Sequence, residues 1–478
     1  MSVYRNWIAG EWVAGSDAAV NVSPSDLEDV VGEYARADAA QVETAIEAAA
    51  QARRSWRDAG IMQRFELLDR VGSEILARKD ELGELLSREE GKTRPEGVGE
   101  VVRAGNVFKW FAGEALRPGG ELIESVRPGM SVEVTREPVG VVGLITPWNF
   151  PIAIPAWKIA AALAYGNTVV FKPADSVPAS AWALADILIR AGVPAGVFNL
   201  VMGRGSVVGN TIVNHAKVDA VSFTGSQPVG QQIAGQLVGR LAKVQLEMGG
   251  KNPLIVLDDA DLDIAVEVAV QGAYYSTGQR CTASSRLIVT KGIHDAFIAR
   301  LVKRLGQVQV GHALAADTHI GPVSEAKQLQ GNLEYVDLGK QEGAQLAFGG
   351  GTIERERPGH YMQPTLFIEA TNDMRIAREE IFGPVACVIP AAGYEEAVNI
   401  ANDTTFGLSS GIVTTSLKHA TAFKRDSSAG MVMVNTPTAG VDFHVPFGGR
   451  KQSSYGPREQ GRYAAEFYTT VKTAYTAA

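Results

Sequence analysis

Cysteine is scarce in this chain, with only Cys281 and Cys387 among 478 residues. Two thiols are too few for a disulfide framework, and neither lies in a metal-ligand spacing, so no stapled fold and no metal site are expected. Positive charge is also in short supply. Lys and Arg number 45 against 53 Asp and Glu, a net charge of −8, so there is no basic field to hold nucleic acid or an anionic membrane surface. Long apolar runs are lacking too. The most apolar stretch, 151–173, carries Lys158 midway and breaks at Gly166-Asn167, so it reads as a helix followed by a strand and not as a membrane span. The opening MSVYRNWIAGEWVAGSDAA has no basic region leading into an apolar stretch and a small-residue cleavage site, and a cytoplasmic location is expected. There is no internal repeat and no low-complexity tract. The partners left by these exclusions are small molecules and further copies of the same chain.

What is present is an ordinary globular composition, 46% hydrophobic and 21% charged, long enough for about three domain-sized units or two large ones with an appendage. From about residue 38 to 117 apolar residues recur at three- and four-residue spacing, as in VETAIEAAAQARRSW and MQRFELLDRVGSEILARK, which predicts helices, one of them stopped by Gly91. The rhythm then changes. Short β-branched runs (VGVVGLI, NTVVF, VFNLV, DAVSF, KVQLE) alternate with helix-length segments (AWKIAAALAY, ASAWALADILIRAG, VVGNTIVNH, VGQQIAGQLV), the pattern of βαβ units on a parallel sheet. A second such series begins near Pro253, with NPLIVL, RLIVT, VACVIP, GIVTT and MVMVN as strands. Two strand-like pieces fit neither series, MSVEVTREPVG (130–140) and EFYTTVKTAY (466–475). Paired together they would make a small projecting sheet suited to subunit contact. The fold class is therefore α/β, with two successive units and an appended β element.

The two cysteines read differently. Cys387 lies inside the apolar run VACVIP and behaves as a small buried hydrophobe. Cys281 lies in the polar YYSTGQRCTASS. A thiol serves as a nucleophile where exposure, positive charge or oriented backbone N–H groups favour the thiolate, and Arg280 brings charge next door. A thiol that attacks an aldehyde gives a hemithioacetal, which must lose hydride and then release its thioester to water. That sequence needs a general base, an oxyanion donor and a hydride acceptor. Glu247, before the Gly-Gly of VQLEMGGKNP, is the candidate base, although a Glu there also suits an ordinary surface. Asn149, in TPWNFP, is the candidate donor beside the Cys281 N–H, although an Asn between two prolines also shapes a loop. FTGSQPVG (223–230) follows a strand and opens a helix, where N–H groups can hold a pyrophosphate. GRGSVVG (203–209) has GxGxxG spacing, a weak signal by itself. Lys172 and Asp175, in VVFKPAD, follow a strand end within reach of ribose hydroxyls.

Taken in order, TPWNFP, VVFKPAD, FTGS, LEMGGKNP, GQRCT, EEIFGP and PFGGRKQS resemble the aldehyde dehydrogenase superfamily along essentially the whole chain, including the interval from Glu247 to Cys281. The resemblance implies Cys281 as nucleophile, Glu247 as base for deacylation and Asn149 as oxyanion donor. It also implies a cofactor site in which Lys172 and Asp175 hold the adenosine ribose, Ser226 the pyrophosphate, and Glu380 and Phe382 the nicotinamide ribose and ring, with Trp148 and Gly205 lining it. The implied fold is a Rossmann-like NAD(P)-binding domain (1–118 and 138–249), an α/β catalytic domain (250–449) and oligomerisation segments (119–137 and 450–478), assembled as a homodimer or homotetramer. Two departures stand out. Asp175 is often a Glu in this family, and Arg280 before the nucleophile is not a general family feature. NAD is the expected cofactor, with NADP possible because Lys172 and Arg204 oppose the Asp175 charge.

Other readings are a thiol acyltransferase or esterase, which the cofactor motifs and Glu247 disfavour, and a non-catalytic relative, which Cys281, Glu247 and Asn149 together disfavour. Within the superfamily, PAWKIAAALAYGNTVVFKPAD, STGQRCTASSRLIV and TPTAGVDFHVPFGGRKQSSYGPREQGRYAAEFYTTVKTAY are most similar to 2-oxoglutarate semialdehyde dehydrogenases. Succinate semialdehyde dehydrogenases or a broad aldehyde specificity come next. The expected substrate is a small aldehyde with a carboxylate at its far end, with Arg280 as anchor and His444, in DFHVPFGG, approaching the same mouth.

Overall fold

Five parallel strands, Val141–Ile145, Thr168–Lys172, Phe198–Leu200, Ala220–Thr224 and Lys243–Glu247, form the heart of the first unit in a computed structural model that describes residues 2–117 and 119–477. Their β-branched runs are buried because helices cover both faces of the sheet. Across the sheet the order is Lys243–Glu247, Ala220–Thr224, Val141–Ile145, Thr168–Lys172, Phe198–Leu200. The strand that comes first in the chain thus lies between the fourth and the second. The winding reverses beside it, and the reversal opens a crevice beyond the carboxyl ends of Val141–Ile145 and Ala220–Thr224. Every residue of the helix Ala153–Ala164 is buried, as its all-round apolar sequence requires. It lies between the sheet and an outer layer that includes Ile61–Ala77 and Arg94–Ala115. Helix Lys79–Glu90 ends where the sequence predicts, on Gly91 at φ 99°.

The second unit is a seven-stranded sheet in which six strands, in the order Thr365–Ile368, Val385–Ala391, Arg286–Thr290, Pro253–Val256, Ser409–Val413 and Met431–Val434, are parallel, with Gln345–Phe348 antiparallel at one edge. Its two hydrophobic clusters lie on opposite faces of that sheet, so the strands alternate sides along their length: Leu287 and Val289 in one cluster, Ile288 in the other. Cys387 is buried in the second of these clusters. The two orphan strands do pair. Met130–Pro138 runs antiparallel to Thr469–Ala477 on one side and to Gly120–Glu124 on the other.

Two features differ from the sequence reading. The N-terminal strands Asn6–Ile8, Glu11–Val13, Asp17–Ser23 and Asp26–Arg36 escaped it. The first two are three-residue pieces joined through Ala9 and Gly10, both at positive φ, too short for an alternation to register. The segment 450–478 also divides. Ser454–Tyr455 pairs with Leu246 and Glu247 in the first sheet, Ala464, Phe467 and Tyr468 enter the first core, and only Thr469–Ala477 belongs to the small sheet. Positions 1, 118 and 478, where three expected boundaries fall, lie outside the described residues. No helix among the described residues is long and apolar enough to cross a membrane.

Candidate active site

A cleft of about 880 Å³ occupies the crevice where the first sheet reverses. Trp148 and Thr146 reach it from the end of Val141–Ile145, Lys172 and Asp175 from the end of Thr168–Lys172, and Ser226 from the turn after Ala220–Thr224. Ser226 is the N-cap of the helix Gln227–Val238 and makes no side-chain cap bond, so the helix opens on the cleft with backbone N–H groups unspent. Gly205 begins a π-turn, Gly205–Gly209, that runs into the short helix Asn210–Asn214. GRGSVVG therefore lines the cleft, but as a π-turn and not as a regular helix start. Lys172 is buried, donates to the Pro173 carbonyl at 2.8 Å, and has its ammonium pKa pulled down to about 8 by burial. Asp175 is not a free carboxylate. Arg36, which ends Asp26–Arg36, reaches it through Nε (3.0 Å to Oδ1) and Nη2 (2.5 Å to Oδ2).

Thr224 borders both this cleft and a second chamber of about 250 Å³. Its hydroxyl is buried without a partner among the described residues. The chamber holds Cys281 with Glu247, Arg103, Arg280, Lys92 and Phe447 in its wall. The approach to Cys281 is a forced turn: Ser276 and Thr277 sit at φ 51° and 57°, followed by Gly278 at 65°. Left-handed backbone at two non-glycine residues is unfavourable and persists where its surroundings hold it. Here Glu96 accepts from both the N–H and the hydroxyl of Ser276, at 2.8 and 2.9 Å. On the opposite side, a Cβ at Gly250 would lie 2.7 Å from the Cys281 carbonyl oxygen, and one at Gly249 would lie 2.0 Å from Glu380 Oε2. The Gly-Gly after Glu247 is thus a passage between the nucleophile loop and Glu380, whose Oε1 accepts from the Gly250 N–H at 2.9 Å.

The electrostatics of Cys281 run against the sequence expectation that Arg280 keeps the thiol acidic. Burial, reinforced by the carboxylates of Glu380 and Glu247, pushes it up to about 12. The Arg280 guanidinium turns instead toward the Gln271 carbonyl, and its Nε is buried without a partner among the described residues. Glu247 is held well above the usual carboxylate range, first by burial and then by Glu459, while the Ser454 hydroxyl, 2.5 Å from Oε2, pulls the other way. Asn149 is buried beside the same loop. Its Nδ2 donates to the Gln279 carbonyl at 3.0 Å, which leaves one amide N–H unspent. Lys92 fixes that loop by donating to the Asn149 carbonyl and to Glu100, and Glu100 accepts from Ile152 and Ala153 at 3.0 Å.

The sequence-predicted residues thus gather in two connected spaces. Trp148, Lys172, Asp175, Gly205 and Ser226 line the cleft, Cys281, Glu247 and Arg280 the chamber. Phe382 meets Trp148 edge to face at 5.4 Å and, at φ 59°, is a second forced backbone position. His444 is a correction: it is exposed, its ring tilted at 55° to that of Trp110 with centroids 5.8 Å apart, and it is not among the residues of the chamber wall. Sequence reasoning missed Arg36, Lys92, Arg103 and Ser454. Arg103, on Arg94–Ala115, donates to the Val441 carbonyl and to Gln460 Oε1 at 2.9 Å, and keeps Nε buried without a partner among the described residues. Among the described residues no cluster of His, Cys, Asp and Glu is arranged to hold a metal.

Comparison with known proteins agrees with this geometry. A family model described as "Aldehyde dehydrogenase family" matches residues 12–474. The alpha-ketoglutaric semialdehyde dehydrogenase of Bacillus subtilis is 45% identical, over 99% of this chain and 98% of its own. The alpha-ketoglutarate semialdehyde dehydrogenase of Haloferax volcanii is 43% identical over 98% of each. Among solved structures, betaine aldehyde dehydrogenase from Staphylococcus aureus in complex with NAD+ superposes with a TM-score of 0.97 at 34% identity, covering 99% of this chain and 95% of that one.

Proposed function

The chain belongs to the aldehyde dehydrogenase family, and on that premise we propose that it oxidises 2-oxoglutarate semialdehyde to 2-oxoglutarate with NAD, as a homodimer or homotetramer in the cytoplasm. The observation that carries the substrate is the pair of guanidiniums, Arg103 and Arg280, in the wall of the chamber that holds Cys281, each with an Nε buried without a partner among the described residues. Two guanidiniums lining a small, largely apolar space suit a carboxylate. They oppose a quaternary ammonium aldehyde. Of the acids in the same wall, Glu96 is hydrogen-bonded to Thr93 and Ser276 and Glu100 to Lys92 and the start of Ala153–Ala164, and neither bonds to Arg103 or Arg280. Names of relatives at 45% and 43% identity point the same way.

The cleft suits a dinucleotide in volume, in its position at the reversal of strand order, and in offering an unspent helix start and a carboxylate beyond the next strand. The orphaned Thr224 hydroxyl marks where that cleft meets the chamber. When bound, NAD supplies the hydride acceptor. The remaining steps belong to the protein. Cys281 Sγ bonds to the aldehyde carbon while its proton passes to a base. With a thiol pKa of about 12 the loss needs that help, and water carries the proton to bulk, leaving Glu247, in the same wall, ionised for deacylation. The oxyanion so formed is met by the free N–H of Asn149 and by the backbone N–H of Cys281. After hydride loss the thioester is opened by water, which gives one proton to Glu247 as its oxygen bonds to the acyl carbon; when the C–S bond breaks, Glu247 passes that proton to Sγ and the thiol is restored as the acid leaves. Two free cysteines and a catalytic thiol suit a reducing compartment. The exposed Leu122, Ile123, Val126, Val471 and Tyr475 of the small sheet suit subunit contact.

The test is a steady-state comparison, by NADH formation, of 2-oxoglutarate semialdehyde, succinate semialdehyde, betaine aldehyde and an uncharged aliphatic aldehyde. The reading requires the highest kcat/KM for the first. A higher value for betaine aldehyde or for the uncharged aldehyde overturns it, and a higher value for succinate semialdehyde replaces the substrate while keeping the carboxylate anchor.

A further inference from the structure

We propose that a recess at the root of the small sheet is a second ligand site, built for a small dianion: a phosphate group or a dicarboxylate. The recess measures about 520 Å³ and shares no residue with the cleft or with the chamber around Cys281. All three strands of the small sheet reach it. Arg136 comes from Met130–Pro138, Gly119 lies just before Gly120–Glu124, and Thr469 begins Thr469–Ala477. Arg64 of the helix Ile61–Ala77, Arg117 and Arg462 complete the wall from the body of the first unit.

Charge singles this recess out. The chain carries a net charge of −8, yet here four guanidiniums face two carboxylates, Glu114 and Glu466. One ion pair forms among them, with Arg117 Nε 2.8 Å from Glu114 Oε1. Arg136 reaches the Thr469 hydroxyl, 3.2 Å from Nη1, and neither it nor Arg64 nor Arg462 is paired with an acid among the described residues. Arg64 keeps Nε buried without a partner among those residues. Its Nη1 rests against Gly166, where a Cβ would lie 2.7 Å away, so the missing side chain is what admits the guanidinium. Lys243 adds a further cation beside Arg136. It donates to the carbonyls of Glu466 and Thr469 at 2.9 and 2.6 Å, and its pKa is depressed by burial and then by Arg136.

Gathering like charges is unfavourable, and arginines elsewhere in this chain are met by acids, as Arg88 is by Asp29 and Arg304 by Glu267. Guanidiniums that converge unmet on one recess are completed by an anion from solution. Four of them against two carboxylates leave an excess of two positive charges, which matches a dianion. Phosphate and carboxylate oxygens both fit the planar fork of arginine. Tyr165, in the same wall, has its phenol pKa raised by burial and by Glu114, so its hydroxyl remains a donor. A dianion held here joins the first helical layer, the strand Met130–Pro138 and the C-terminal segment, and so stiffens the root of the small sheet.

The test is calorimetric titration of the full-length protein with sodium phosphate and with succinate, at mildly alkaline pH where phosphate is mostly a dianion, against sodium chloride of matched ionic strength. The parent, Arg64→Gln, Arg462→Gln and Arg280→Ala are compared, and Tm is followed in the same solutions. The parent is expected to bind one dianion per chain, with a Tm that rises beyond the chloride blank as the dianion is added. Arg64→Gln and Arg462→Gln should each weaken binding by about 10-fold or more, the worth of a charged hydrogen bond, while Arg280→Ala leaves it unchanged. Binding of phosphate alone assigns a phosphoryl ligand, binding of succinate alone a dicarboxylate, and binding of both a site that reads charge. Should Arg64→Gln fail to fold, judged by circular dichroism, the exposed Arg462 decides alone. No heat with either dianion, a Tm that follows ionic strength only, or an affinity that ignores Arg462→Gln overturns the proposal. So does binding that is lost in Arg280→Ala, which would put the dianion in the chamber.

Discussion

Ser454 Oγ lies 2.5 Å from Glu247 Oε2, and the two residues are also direct cross-strand partners at the edge of the first sheet. The C-terminal segment therefore reaches back across the molecule to set the charge state of the candidate base. Burial and the Glu459 carboxylate drive the Glu247 pKa up, and the Ser454 hydroxyl opposes them. Glu459 is itself anchored, accepting from Trp157 Nε1 at 2.7 Å and from Lys158. A base works only when ionised, so the balance between these neighbours fixes the pH at which deacylation begins.

The Ser454→Ala variant should shift that balance in a stated direction. The hydroxyl donates to the ionised carboxylate, so its loss raises the Glu247 pKa further and moves the acid limb of the kcat profile to higher pH, by about one unit for about 1.4 kcal/mol of lost interaction. Activity should fall near neutrality and recover in alkali. Glu247→Gln should abolish the recovery altogether, leaving an initial burst of NADH and a steady state slower by about 10²–10⁴-fold. An unmoved limb in Ser454→Ala would place the base elsewhere, and a lost burst in Glu247→Gln would show that Glu247 acts mainly before or during hydride transfer.

Cys281 should behave as a thiol and not as a resting thiolate. With its pKa raised to about 12 by burial and two carboxylates, alkylation of the free protein by iodoacetamide should climb with pH through 9 without levelling, since the thiolate fraction is still growing there. A plateau near pH 7 contradicts the raised pKa. Cys281→Ser should end aldehyde oxidation. Cys387→Ser should keep it, at some cost in stability from the buried strand Val385–Ala391.

The parts of this molecule that could be read from sequence are those whose cause is local. Runs such as VVGLI and TVVFK are buried on both faces and are apolar for that reason, and Gly91 ends a helix because the backbone there is left-handed. Cys281 stood out from Cys387 by its polar neighbours. The partners of these residues were not local. Arg36 precedes Asp175 by 139 residues, Ser454 follows Glu247 by 207, and Arg103 lies on a long helix where an arginine reads as ordinary surface. The direction of the Cys281 shift is not legible in the sequence for the same reason. Arg280 is adjacent in the chain, but burial and the carboxylates of Glu247 and Glu380 decide the outcome, and only folding brings those together.

The small sheet should govern assembly. Leu122 is 78% exposed and Val126 fully so, on the hairpin whose outer strand is Gly120–Glu124, and exposed apolar side chains in a row on a sheet edge invite pairing with another chain. Replacing Leu122, Ile123 and Val126 together by Ser should lower the mass measured by sedimentation equilibrium. An unchanged mass would show that contact between subunits is made elsewhere.

Arg103 and Arg280 should separate by substrate charge. If they anchor the far carboxylate, Arg280→Ala should lose about 1.5–3 kcal/mol of transition-state binding for 2-oxoglutarate semialdehyde, roughly 10- to 150-fold in kcat/KM, and spare an uncharged aldehyde of the same length. Arg103→Ala should do likewise, with an added loss of stability, because Arg103 also ties its helix to Val441 and Gln460. Arg103→Lys keeps the charge but not the fork, and should recover part of the loss if a carboxylate is being held. If the two residues were near enough to grip one carboxylate jointly, the double variant would lose less than the sum of the singles, since neighbours that share a partner are not additive. Equal losses for charged and uncharged aldehydes would instead assign both guanidiniums to shaping the chamber, and the carboxylate anchor would be refuted.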